Sequence, residues 1–147
     1  GIPNVIRSAS GTVGQNTAGV VMGFLPDPTN LGLKHRLAST LRVALVCLAD
    51  GVVFEVQEDA DTTPLAAADA NLNISYTTTA GSAVTGVSAM ELDSSAKAVT
   101  ATLPLRLLGL SKRIGNTYNT GGSNVDQAVW EVYFNTSQQK PNIVGVA

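Results

Sequence analysis

The chain reads as all-β: a small β-barrel or compact β-sandwich of about six strands, preceded by an extended N-terminal arm. Three observations predict this. From residue 40 onward apolar residues recur with period two or in short continuous runs, with valine and threonine plentiful. No stretch carries the apolar stripe of an amphipathic helix. Glycine, asparagine, aspartate and proline punctuate the runs at short intervals.

The elements follow in order. Residues 1–39 change character every few positions, with Gly11, Gly14, Gly19, Gly23, Pro26, Pro28 and Gly32 among apolar Ile6, Val20, Val21, Met22, Phe24 and Leu25. A disordered tail is poorer in such hydrophobes, so the segment is predicted to be an arm that lays them into grooves of a neighbour. The alternative is that it supplies the first strand or two of the domain. Residues 41–49 form a nearly continuous apolar run, the signature of a strand buried on both faces. Asp50 and Gly51 come next. Both tolerate positive φ, so residues 41–58 are predicted to form a hairpin with a type I′ turn, Phe54 and Val56 sharing one face of its second strand.

Residues 58–70 are acidic, with Pro64 and several alanines, and read as a connection holding one short helical turn. Leu72, Ile74 and Tyr76 alternate in a third strand, residues 87–92 give a fourth, and residues 93–97 read as a polar turn. Residues 99–110 alternate again, with Pro104 requiring a sheet edge, a bulge or a strand start. Residues 112–126 form a long loop rich in glycine and asparagine, and residues 128–135 close the domain with Trp130, Val132 and Phe134 on one face. The domain is thus expected over 40–139, with a C-terminal tail at 140–147.

A chain of 147 residues suits one domain plus an arm, and can bury a real core without disulfides or metal. Only 14% of its residues are charged, against about a quarter in ordinary soluble domains. Such a surface suits a subunit packed against other subunits, and a closed barrel would also remove its sheet edges. The net charge of −2 gives no electrostatic basis for binding nucleic acid. No apolar run is long enough to cross a membrane as a helix. Residues 1–42 hold Arg7, Lys34, Arg36 and Arg42 against the single acid Asp27, so a basic arm on an acidic body favours docking to an acidic protein surface.

Residues that do chemistry are scarce. His35 is the only histidine and Cys47 the only cysteine, which leaves no catalytic triad inside the domain and no zinc-ligand set. No phosphate-cradling glycine loop is present, and no cofactor or metal is expected. Glu55, Glu58, Asp59 and Asp61 cluster, but their spacing is not that of a calcium loop and aromatic platforms for a sugar are few; a solvated acidic turn is expected. Trp130 reads as a core residue. Asn73 and Asn135 each begin a glycosylation pattern that, without a secretory signal, is read as accidental. The protein is therefore not expected to be an enzyme.

Four segments carry a resemblance: VVFEVQED at 52–59, GVSAMELDSS at 86–95, LPLRLLGL at 103–110 and AVWEVYFN at 128–135. In order and spacing they resemble the capsid decoration, or cement, proteins of tailed bacteriophages, over roughly residues 40–138. One departure is Glu131 directly after Trp130, where the family pattern has a more apolar or basic residue. The resemblance implies a small β-barrel-like body on the outer surface of the phage head, present in many copies, that ties neighbouring major capsid protein subunits together against internal DNA pressure. It implies a homo-oligomer, and a trimer is the first expectation. Composition then nominates Ile6, Arg7, Val20, Met22, Phe24 and Leu25 as the capsid-binding surface, with Arg36 and Arg42 as polar anchors. Two alternatives compete: a carbohydrate- or receptor-binding module of a fibre or spike using Tyr118, Asn119, Asn124 and Asp126, and a hydrolase using Glu55 and Glu58.

Overall fold

The computed structural model describes residues 6–7, 17–37, 39–118 and 127–137. The expected tail at 140–147, most of the first sixteen residues, and Asn119, Asn124 and Asp126 of the long loop lie outside them. The described residues are all-β. Seven strands form two antiparallel sheets: β1 (Gly19–Phe24), β2 (Ala44–Leu48), β3 (Phe54–Gln57), β4 (Asn73–Tyr76), β5 (Leu92–Ala98), β6 (Leu105–Leu110) and β7 (Val129–Phe134). The only helical turn among them is a single 3-10 turn at Ala67–Asp69, inside the connection where one was expected.

Five strands, in the order β3-β7-β6-β4-β5, make the body. Its core is built by alternation. Trp130, Val132 and Phe134 of β7 are buried, Leu105 and Leu107 of β6 meet them from one side, and Phe54 and Val56 of β3 pack from the other. The Phe54 and Phe134 rings meet edge to face at 5.5 Å. Leu65, Ile74, Tyr76 and Leu92 complete the cluster.

The edges of this sheet curl toward each other without closing a barrel. Just beyond β3, Glu58 makes a lone parallel bridge with Leu92 at the start of β5, and the Asp59 N–H donates to the Leu92 carbonyl at 2.9 Å. Glu58 is fully buried, which corrects the expected solvated acidic turn. Its N–H donates to the Ala128 carbonyl, while its carboxylate accepts from the backbone N–H groups of Leu65 and Ala128. Burial is tolerable because both carboxylate oxygens are hydrogen-bonded.

The predicted hairpin at 41–58 does not form. Asp50 and Gly51 do make a turn, but Gly51 alone of the pair has positive φ, +73°, so it is not type I′. β2 pairs with β1, and β3 pairs with β7 in the other sheet. The local turn preference is overridden because the apolar face of β3 gains more against Trp130 and Val132 than against β2. The link between the sheets is short: Ala49 is buried in the core, and Thr17 and Ser137 form a second bridge.

Two strand expectations also shift. Residues 93–97, expected as a polar turn, lie within β5, while the fourth-strand segment at 87–92 is mostly loop. β5 breaks register with β4 between Lys97 and Asp93, and the Ser94 N–H turns to Asp59 Oδ1 at 3.1 Å instead. The last predicted strand before the long loop begins at Leu105, with Pro104 immediately before it, and the Pro104 carbonyl accepts from the Asn135 and Thr136 N–H groups. Asn73 and Asn135 are buried, and their side chains donate to the carbonyls of Thr100, and of Ala101 and Leu103, respectively. They hold the 99–104 turn.

Glu58→Ala would leave two buried N–H groups without an acceptor and is expected to destabilise the body by about 2–4 kcal/mol, read as a lower urea midpoint. An unchanged midpoint would contradict the role of the carboxylate. A second check concerns Glu55, which faces Glu131 across the β3–β7 pair and is held below the usual value of 4.5 by hydrogen bonds from Arg113 and then Ser111. A lowered folded pKa contributes stability above the ordinary carboxylate range that is lost as pH falls through the lowered value. Carboxyl NMR should therefore place the Glu55 midpoint below 4.5, and Arg113→Met should move it up; an unmoved midpoint would refute the pairing.

Candidate interaction surface

Of the large apolar residues in the body's five strands only Leu108 is exposed, the others that the body exposes, such as Val84, Val87 and Ile114, lying in its loops. The ribbon of β1 and β2 exposes Val21, Met22, Leu45 and Leu48 from the strands themselves. In register, Gly19 faces Leu48, Val20 faces Cys47, Val21 faces Val46, Gly23 faces Leu45 and Phe24 faces Ala44, with Met22 the extra residue of a bulge. Residues opposite each other share a face. Val20, Leu45 and Cys47 therefore lie on one side, and Val21, Phe24, Val46 and Leu48 on the other. Neither side is properly covered. Leu45 is 50% exposed, Leu48 58% and Met22 70%, and beside the ribbon Leu41 is 98% exposed.

This overturns the expectation that residues 41–49 are buried on both faces. A nearly continuous apolar run is the pattern of a strand covered on both sides, and among the described residues the covering layers are not there. Neither β1 nor β2 contains a charged residue, so nothing on the ribbon discourages contact. A two-stranded ribbon alone is marginal in water. This one is held at its base, where Val20 and Ala49 join the core cluster and the Ala49 N–H donates to the Ala18 carbonyl.

Beyond its far end, the loop between the strands is organised by Arg42. The guanidinium donates to the carbonyls of Leu25 at 2.5 Å, His35 at 3.2 Å and Leu33 at 3.5 Å, and lies 5.8 Å from the centre of the Phe24 ring. The Asp27 carboxylate, lowered in pKa by hydrogen bonds from the Thr29 hydroxyl and N–H, tightens the same loop. His35 packs over Gly86, whose φ of +71° and close neighbour both disfavour a side chain there.

The nominated residues thus divide. Met22 and Leu25 are exposed on or beside the ribbon, Ile6 and Arg7 are exposed, and Arg36 is exposed with its Nε donating to the Thr40 carbonyl. Val20, Phe24 and Arg42 have internal tasks in core packing and loop order. Residues 19–24 pair with β2 across the expected boundary at 39 and 40. Sequence reasoning missed Leu41, Val43, Leu45 and Leu48. The available signal was the low charge fraction read together with the nearly continuous apolar run.

Elsewhere, Tyr118 lies 5.7 Å from Trp130, ring centre to ring centre, and Trp130 is in the core as expected. Glu55 and Glu58 are separately committed, to Arg113 with Ser111 and to backbone N–H groups. Asp59, Asp61 and Asp93 are the one described group able to ligate a cation, with one oxygen from each within 4.8 Å of the others. The Ser94 hydroxyl sits between Asp59 and Asp61, at 2.7 and 2.9 Å.

Arg42→Ala should release the carbonyls it binds and speed amide exchange across residues 33–43, while β6 and β7 keep their protection. Equal exchange in parent and variant would show that the guanidinium does not order the loop. No protein-family model, curated protein or solved structure matches this chain.

Proposed function

We propose that this chain is a structural subunit of a bacteriophage head, a decoration protein that sits on the outer surface and stabilises the shell by bridging major capsid protein subunits. The observation that carries the reading is the exposed, uncharged ribbon of β1 and β2 on a chain with only 14% charged residues. Exposed apolar patches on soluble chains mark interaction surfaces, and the ribbon exposes Val21, Met22, Leu45 and Leu48 with Leu41 beside it. The resemblance of four segments to decoration proteins supplies the kind of partner.

The mechanism is distributed contact. A lattice interface of roughly 1,000–2,000 Å² is of the usual size for a specific complex, and repetition over a shell multiplies a modest affinity. Arg42 orders the loop beside the ribbon in advance, which reduces the entropy lost on docking. Exposed Lys34 and Arg36 place positive charge beside the apolar surface, suited to an acidic rim on the partner.

Deleting residues 1–30 is a poor test, because it removes β1 and strips β2 of its partner. Met22→Asp with Leu41→Asp alters two exposed side chains outside the core instead. The variant is expected to keep the parent's unfolding midpoint and to bind undecorated shells at least about tenfold more weakly, a loss of about 1.4 kcal/mol, by co-sedimentation and imaging of particles. Shells decorated to the same occupancy by parent and variant would contradict the assignment of this surface.

A further inference from the structure

We propose that two copies of this chain pair through the outer edge of β2, antiparallel and about a twofold axis at Val46, to make a four-stranded sheet β1-β2-β2-β1. This goes beyond lattice binding and stands whether or not the pair sits on a shell.

The argument begins with backbone direction. The Ala49 N–H donates to Ala18 and the Leu25 N–H to Val43, so odd-numbered residues of the 43–49 segment turn their backbone groups toward β1. In an antiparallel ladder the intervening residues, Ala44, Val46 and Leu48, point theirs the other way. Among the described residues no strand lies there, since the sheet has two members and β1 and β2 make their principal contact with each other. β1 is the poorer template because its bulge at Met22 breaks the regular spacing.

Self-complementarity selects a second copy as the occupant. An axis through Val46 pairs Val46 with itself, Ala44 with Leu48 of the second copy, and Leu45 with Cys47 of the second copy. On each face a large side chain then meets a small one. No charge lies in β2, so identical strands meet without like-charge repulsion. Ala44, Val46 and Leu48 fall at the positions where an antiparallel pair exchanges both hydrogen bonds, so every outward backbone group of the strand is satisfied at once. The added strands also widen a ribbon too narrow to be stable alone. Such an interface is isologous and closes at two copies, unlike the threefold arrangement first expected.

The test uses the purified full chain. Sedimentation equilibrium over a micromolar concentration series should show a monomer–dimer equilibrium. Val46→Pro removes an N–H that points away from β1, which an edge strand tolerates, and should raise the dissociation constant by about tenfold or more. In parallel, Leu45→Cys under oxidised glutathione should give a disulfide-linked dimer through Cys47 of the second copy, because directly opposed residues at a non-hydrogen-bonded pair lie within disulfide range. Leu41→Cys, outside the paired stretch, should not. A parent that stays monomeric, a trimer, or a dimer unmoved by Val46→Pro would overturn the proposal. If Val46→Pro fails to fold, the cross-link decides: its absence at Leu45→Cys, or equal cross-linking at Leu41→Cys, overturns it.

Discussion

The buried carboxylate of Glu58 is the constraint on which the arrangement of the body depends. It stands where β3 ends, where the connection to Ala67–Asp69 begins and where β7 is about to start, and it accepts N–H groups from the last two. At the same point the backbone crosses to Leu92, so both edges of the five-stranded sheet are tied by one residue and its successor. An acid in a core is unfavourable unless its hydrogen bonds are complete, and here completing them requires three distant segments to be correctly placed. The same polar logic recurs at Asn73, Asn135 and Asn116, whose amides hold turns and strand ends by bonding backbone groups.

With its edges drawn together and its core filled, the body is held by contacts within the chain. The ribbon differs. It shares Val20 and Ala49 with the core but carries Leu45, Leu48, Met22 and Leu41 into solvent, and its outer backbone groups have no strand beside them among the described residues. The molecule is thus divided into a part that folds by its own contacts and a part whose apolar side chains the described residues leave exposed. That division, rather than any cluster of reactive side chains, underlies the structural reading of its function. The proposed edge pairing and the proposed face packing are compatible demands on the same ribbon, since a second copy on the edge leaves both faces open.

Much of the body was legible. Period-two alternation located β4 and β7, Trp130, Val132 and Phe134 were readable as core, and Pro104 was limited to an edge, a bulge or a strand start, the last of which it takes before Leu105. What failed were pairings and environments. Asp50 and Gly51 favour a turn, but which strands pair is decided by burial against β7, a contact between residues far apart in sequence. β5 looked like a turn because its polar residues answer to Asp59 and Asp61 rather than to a core. Glu58 looked solvated because a carboxylate's burial depends on partners that sequence does not place next to it. The run at 41–49 reads as buried on both faces, yet among the described residues nothing covers Leu41, Leu45 and Leu48.

The central claim is that the body is complete and the ribbon is not. Residue-resolved amide exchange, compared between the free chain at high dilution and the chain bound to shells, tests it most directly. The account predicts that Ala44, Val46 and Leu48 exchange rapidly in the free chain and become strongly protected on binding, while β6 and β7 are protected in both. Slow exchange at those three amides in the dilute chain, or no change on assembly, would contradict it.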